Sequence, residues 1–139
     1  MKLTFLFAVT GIIALSSCNE SKVPNTDIDV ARAFITDILK NEFDEAEKFV
    51  LKDTGNLKED TNKQYFDLFK KDYESKSKDE LANYRDAYII INELSNVNDS
   101  VSIVNYSNSF KKDKTNKVKM VRVNGQWLVD LKYTFSGNL

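Results

Sequence analysis

The chain has 139 residues, 42% of them hydrophobic, with 20 Lys and Arg against 21 Asp and Glu and no histidine. That length holds one domain with a real core, and the near balance of charge gives no overall pull toward nucleic acid. Without histidine there is no Ser-His-Asp or Cys-His nucleophile system, no imidazole base and no zinc site that relies on imidazole, and a single cysteine leaves no partner for a disulfide within the chain.

The first predicted element is a leader. Residues 3–15 form a mostly apolar run after Met1-Lys2, closed by small residues, which is the plan of a secretory signal. It is too short to span a membrane, which takes about 20 apolar residues for roughly 30 Å of hydrocarbon. Leu15-Ser16-Ser17-Cys18 resembles the bacterial lipobox, and the resemblance implies cleavage before Cys18 with lipid added to its sulfur. The alternative is an ordinary leader cut after Ser16, since Ala14 and Ser16 are both small. Acylation of Cys18 places several chains on one residue, at about 0.8 kcal/mol per buried methylene, and so anchors the protein stably. Asn19 stands where many such lipoproteins held in the inner membrane carry Asp, which points to the outer membrane. The next residues, Asn19-Glu20-Ser21-Lys22, lack the acidic run that resembles a surface-export signal, which points to the periplasmic side. Residues 18–26, with the chain's one proline at Pro24, read as a polar tether; residues 19–25 reach on the order of 20 Å when extended.

Removing residues 1–17 leaves 122, read as the tether plus one domain over residues 27–136. Thr26-Asp27-Ile28-Asp29 has the form of a helix start, with acidic charge at the positive end of the dipole. Val30, Ala31, Phe34, Ile35, Ile38 and Leu39 then recur at the spacing of one helical face. Asn41 is expected to cap a shorter second helix carrying Phe43, Ala46, Phe49 and Val50. Residues 52–56 read as a loop around Gly55. Residues 57–73 form a third amphipathic segment, with Tyr65, Phe66, Leu68, Phe69 and Tyr73 on its apolar side.

After Tyr84 the period changes. Ala87-Tyr88-Ile89-Ile90-Ile91 and Val101-Ser102-Ile103-Val104-Asn105-Tyr106 read as strands around a turn at Asn96-Val97-Asn98-Asp99. A second hairpin covers residues 121–129, where Asn124-Gly125 supplies the positive φ angles of a two-residue primed turn. Trp127, Val129, Leu131, Tyr133 and Phe135 alternate with Leu128, Asp130, Lys132 and Thr134, so the last strand is expected to run on with one buried face. The glycines at 11, 55, 125 and 137 are too scattered for a phosphate-cradling loop. Helices first and antiparallel strands last is an α+β plan.

Three N-terminal helices followed by a meander ending in Val123-Asn124-Gly125-Gln126-Trp127-Leu128-Val129-Asp130 resembles the nuclear-transport-factor-like cone fold, and in particular small bacterial lipoproteins with a lumazine-binding-like domain. The resemblance implies a strongly curved antiparallel sheet of about four strands wrapped around the helices, with a conical pocket between them. Relatives use that pocket for ligand binding, for enzymology or for dimerisation through the exposed sheet face, where Leu128 lies on the otherwise polar side of the last strand.

Three functional expectations follow. The first is a lipid-anchored, non-enzymatic envelope module that uses no cofactor and binds a small ligand, a peptide or a partner protein, with Tyr65, Phe69, Tyr88 and Trp127 as pocket candidates. The second is a cofactor-free isomerase or dehydratase with Asp86 or Glu93 as acid and base beside Tyr88, which needs a carboxylate pKa raised by an apolar wall. Against it, the inward positions of the first helix are Phe34, Ile35 and Ile38, where the isomerases carry Tyr. The third is a basic contact loop of Lys111, Lys112, Lys114, Lys117 and Lys119 for anionic headgroups or acidic glycans, against the plainer reading of a solvated hairpin tip. Asp99-Ser100-Val101 resembles an O-glycosylation signal of some anaerobic Gram-negative bacteria.

Overall fold

In a computed structural model that describes residues 23–53 and 60–135, helix α1 (Asp27–Leu39) starts where the sequence places it. The Thr26 hydroxyl accepts the Asp29 N–H at 3.1 Å, and Asp27 and Asp29 sit in the first turn. All six predicted inward residues of this helix are buried. The leader, Cys18, the tether up to residue 22, Gly55 and Leu57 lie outside the described residues. Among those described, no helix is long and apolar enough to cross a membrane.

Asn41 does not cap the second helix; it closes the first. Its φ is +66°, its N–H donates to the Ile38 carbonyl at 3.1 Å, and the Glu42 N–H donates to the Asp37 carbonyl at 2.7 Å. That pair of backward bonds is a Schellman closure, and Asn is among the few residues that take the left-handed conformation at modest cost. Helix α2 (Phe43–Glu47) consequently begins after Glu42 with no side-chain cap. It buries Phe43 and Ala46. The chain then runs beside the last strand, where the Leu51 N–H donates to the Val129 carbonyl at 2.9 Å and the Val129 N–H to the Phe49 carbonyl at 2.8 Å.

Helix α3 (Thr61–Glu74) is capped by Asp60, whose carboxylate accepts the Lys63 N–H at 3.0 Å. Its inward face is Asn62, Phe66 and Tyr73, with Tyr65 and Phe69 half-buried against the core. Leu68, expected on that face, is 54% exposed, because two positions from Phe66 is about 200° around the helix. Phe66 packs 6.4 Å from Phe34 and 5.9 Å from Phe43, and the Tyr73 hydroxyl donates to the Leu39 carbonyl at 3.1 Å. These contacts tie α1, α2 and α3 into one layer.

A fourth helix, α4 (Lys78–Asp86), precedes the sheet, so the expected count of three is one short. The Ser77 hydroxyl accepts the Glu80 N–H at 3.2 Å, and Ser77-Lys78-Asp79-Glu80 is itself a capping-box pattern. No residue of α4 is buried, which is why the apolar periodicity failed to reveal it.

The sheet is an antiparallel meander in the order β1 (Ile89–Asn98), β2 (Val101–Asn108), β3 (Asn116–Val123), β4 (Gln126–Val129). The α+β plan and the four strands are as predicted; the strong curl implied by the resemblance is not present. Strand β1 runs on through Asn98, three residues into the turn predicted at residues 96–99, and the turn itself falls at Asp99 and Ser100, with the Ser100 N–H held by Asn98 Oδ1 at 2.9 Å. Asn124 and Gly125 make the β3–β4 turn with φ of +50° and +82°, as a primed turn requires.

The last strand does not run on. After Val129 the chain turns into helix α5 (Leu131–Phe135), because Asp130 acts as its cap: Asp130 Oδ1 accepts the Tyr133 N–H at 3.2 Å. Leu131 becomes a fully buried core residue beside Val104, Val118, Met120 and Val129 from the sheet. Helices thus cover the inner face of the meander. The side of the molecule where β2 ends and β3 begins is where they leave it open.

Candidate functional site

At that open side lies a cleft of about 350 Å³, within the size range of small-molecule sites. One wall is the C-terminal half of α1, presenting Phe34, Ile35, Ile38 and Leu39, and Phe69 and Tyr73 of α3 continue it. The 3.6-residue periodicity that builds the core sets these α1 positions on one face, so the cleft floor is the buried edge of the core itself. The opposite side is made by Tyr106 and Asn108 at the end of β2 and Asn116 at the start of β3. Tyr106 and Asn116 are register partners, and Tyr106 shares the inner face with Val104 by strand alternation.

Polar groups gather at the rim. Asp72 of α3 and Lys76, in the turn between α3 and α4, form an ion pair at 2.5 Å. The loop of residues 109–115 is shaped by Asn108, whose Oδ1 accepts the N–H of Phe110 at 3.1 Å and of Lys111 at 2.8 Å. Lys111 reaches across to α4, where its ammonium meets Glu80 Oε1 at 2.5 Å and lies 5.0 Å from the Tyr84 ring centre and 5.3 Å from that of Phe110. The hydrogen bond from Lys111 draws the Glu80 carboxyl below its ordinary range, and the reciprocal bond raises Lys111. Lys114 lines the rim without a carboxylate partner among the described residues.

Tyr106 keeps part of its side chain accessible, yet the surroundings of its hydroxyl are dense enough that desolvation pushes its pKa up to about 12. The hydroxyl has no hydrogen-bond partner among the described residues. It is therefore a protonated donor throughout the physiological range.

No family model and no curated protein matches this chain. The site stands on its own geometry.

Of the predicted pocket residues only Phe69 lines the cleft. Tyr65 and Trp127 are half-buried against the core, and Tyr88 is 63% exposed beside the start of β1. The basic stretch is not one loop. Lys111 is engaged with Glu80, while Lys119 lies within β3, 3.2 Å from Asp130 and 4.2 Å from the Tyr133 ring centre. Lys112 and Lys114 are exposed on the loop, and Lys117 is exposed on β3. Asp86 and Glu93 are both exposed and outside the cleft, so neither has the apolar wall that acid-base work there would require. Among the described residues no cluster of Asp, Glu, His or Cys is arranged to hold a metal ion. Tyr106, Asn108 and Asn116 lie outside the predicted set; strand alternation from Val104 marks Tyr106, whereas the two asparagines carry no such signal.

Proposed function

We propose that this chain is a lipid-anchored cell-envelope protein, held through acylated Cys18 at the outer membrane and facing the periplasm, whose cleft binds a small amphipathic ligand without transforming it. The observation that carries the binding half is the cleft itself, an apolar wall from α1 and α3 facing an unpartnered, desolvated hydroxyl on β2. Convergence of a few polar groups on an apolar concavity is the usual make-up of a small-molecule site. The anchoring half rests on Leu15-Ser16-Ser17-Cys18 and the apolar run before it.

Helices laid on one face of an antiparallel meander with an opening at one side support kinship with the cone architecture; without strong curl, the opening is a cleft rather than a deep cone.

Mass spectrometry of the N-terminal peptide from the membrane fraction tests the anchor. The expected species begins at Cys18 and carries acyl chains, and a Cys18→Ser chain loses it; an unmodified Cys18 refutes the anchor. Thermal-shift screening of the full chain against amphipathic metabolites tests the cleft. Hits should be weakened by Phe69→Ala, and hits indifferent to that change count against it.

A further inference from the structure

The rim of the cleft has an uneven charge balance. Lys76 is neutralised by Asp72 and Lys111 by Glu80, each at 2.5 Å. Lys114 lines the same rim and meets no carboxylate among the described residues. Tyr106, also in the lining, offers a hydroxyl that nothing described accepts from or donates to, while Asn108 next to it commits its Oδ1 to two backbone N–H groups. Two unused donors, one of them charged, adjoin a wall of aliphatic and aromatic carbon.

Resting on the reading that the cleft takes a small ligand, we propose that the ligand is a monoanionic carboxylate with an apolar tail, its two oxygens accepting from the Lys114 ammonium and the Tyr106 hydroxyl while the tail lies along Phe34, Ile38 and Phe69. The charge count selects the head group. One uncompensated ammonium balances one negative charge. A phosphate monoester brings nearly two, and the other rim lysines already have partners. A cationic amphiphile meets Lys114 as a like charge, and a neutral alcohol gains the tail contacts without the charge-assisted bond. Burial keeps Tyr106 protonated, so it serves the carboxylate as a donor without competing for a proton.

The test uses three probes with the same eight-carbon tail, octanoate, 1-octanol and octylammonium, titrated calorimetrically into the full chain in phospholipid nanodiscs with empty discs as the blank. The expected order is octanoate tightest and octylammonium weakest. Lys114→Ser should weaken octanoate about tenfold and Tyr106→Phe about fivefold, with octanol within about twofold of its original value in both, the scale of single hydrogen bonds to a charged group. Tail contacts are checked by Phe69→Ala, which should weaken octanoate and octanol alike. If the three probes bind equally well and Phe69→Ala weakens all of them, the cleft reading stands and the carboxylate assignment is overturned. If none binds above the blank, or Phe69→Ala changes nothing, the cleft reading itself fails. Octanoate binding that is indifferent to both Lys114→Ser and Tyr106→Phe also refutes the assignment.

Discussion

Asn62 is fully buried in α3 and joins three parts of the chain that are far apart in sequence. Its Nδ2 donates to Asp53 Oδ1 at 3.3 Å, and its Oδ1 accepts the Lys132 N–H at 2.9 Å, the first turn of α5. Asn62→Leu keeps the branched shape and the number of heavy atoms and removes both bonds. The part-buried Lys132 N–H is then left without its acceptor, which costs about 1–3 kcal/mol. Asp53 loses less, since its carboxylate still accepts the Thr61 N–H at 2.9 Å and keeps Lys132 Nζ at 3.6 Å. Added apolar surface offsets part of the loss, so the net destabilisation is about 2 kcal/mol, a large fraction of a small domain's stability. In urea unfolding followed by circular dichroism the midpoint should fall by on the order of 1 M with an unchanged slope. Asn62→Asp should be worse than Leu, because it sets a second carboxylate against Asp53. An Asn62→Leu midpoint within error of the parent would show that this node does not fasten α5 to α3.

Phe66→Ala should cost about 3–5 kcal/mol, since the ring is buried between Phe34 and Phe43 and leaves a cavity that α1 and α2 cannot fill; chemical unfolding measures it. Ser102→Ala should stabilise the fold by roughly 1 kcal/mol, because the Ser102 hydroxyl is wholly buried with no partner in the described structure, and a loss of stability would reveal an acceptor for it. Tyr106 governs alkaline behaviour: the folded state favours its protonated form, so stability is full below the unfolded value near 10 and declines as pH rises toward about 12, by roughly 2 kcal/mol. Tyr106→Phe should remove that part of the decline, and urea midpoints between pH 9 and 12 for both chains provide the comparison.

Legibility in the sequence followed how strongly each segment depends on its own pattern. Helix α1 was readable in full because cap, dipole charge and apolar period agree over thirteen residues. The β3–β4 turn was readable because Asn124-Gly125 favours a single conformation. Helix α4 was hidden since it buries no residue and its only marker is the Ser77 cap. The end of β4 departs from its pattern: Leu131, Tyr133 and Phe135 fit strand alternation, but Asp130 acts as a helix cap, secured further by Lys119. Asn41 could serve either neighbouring helix, and tertiary closure of α1 decided between them. For the cleft, the apolar wall was legible as an inward face, but the choice among aromatic residues was not. Whether Phe69, Tyr65 or Trp127 meets an opening depends on where the helix layer stops relative to β2, which no local pattern encodes.

The ligand site we propose is the cleft between α1, α3 and the β2–β3 end. Photo-crosslinking the full chain in nanodiscs with an eight-carbon carboxylate bearing a diazirine in its tail, followed by peptide mass spectrometry, addresses it directly. Label is expected on the peptides carrying Phe34, Ile38 and Phe69, suppressed by excess octanoate and diminished by Lys114→Ser. Label concentrated elsewhere, such as at exposed Tyr88 or the outer face of the sheet, or label that excess octanoate leaves in place, would contradict it.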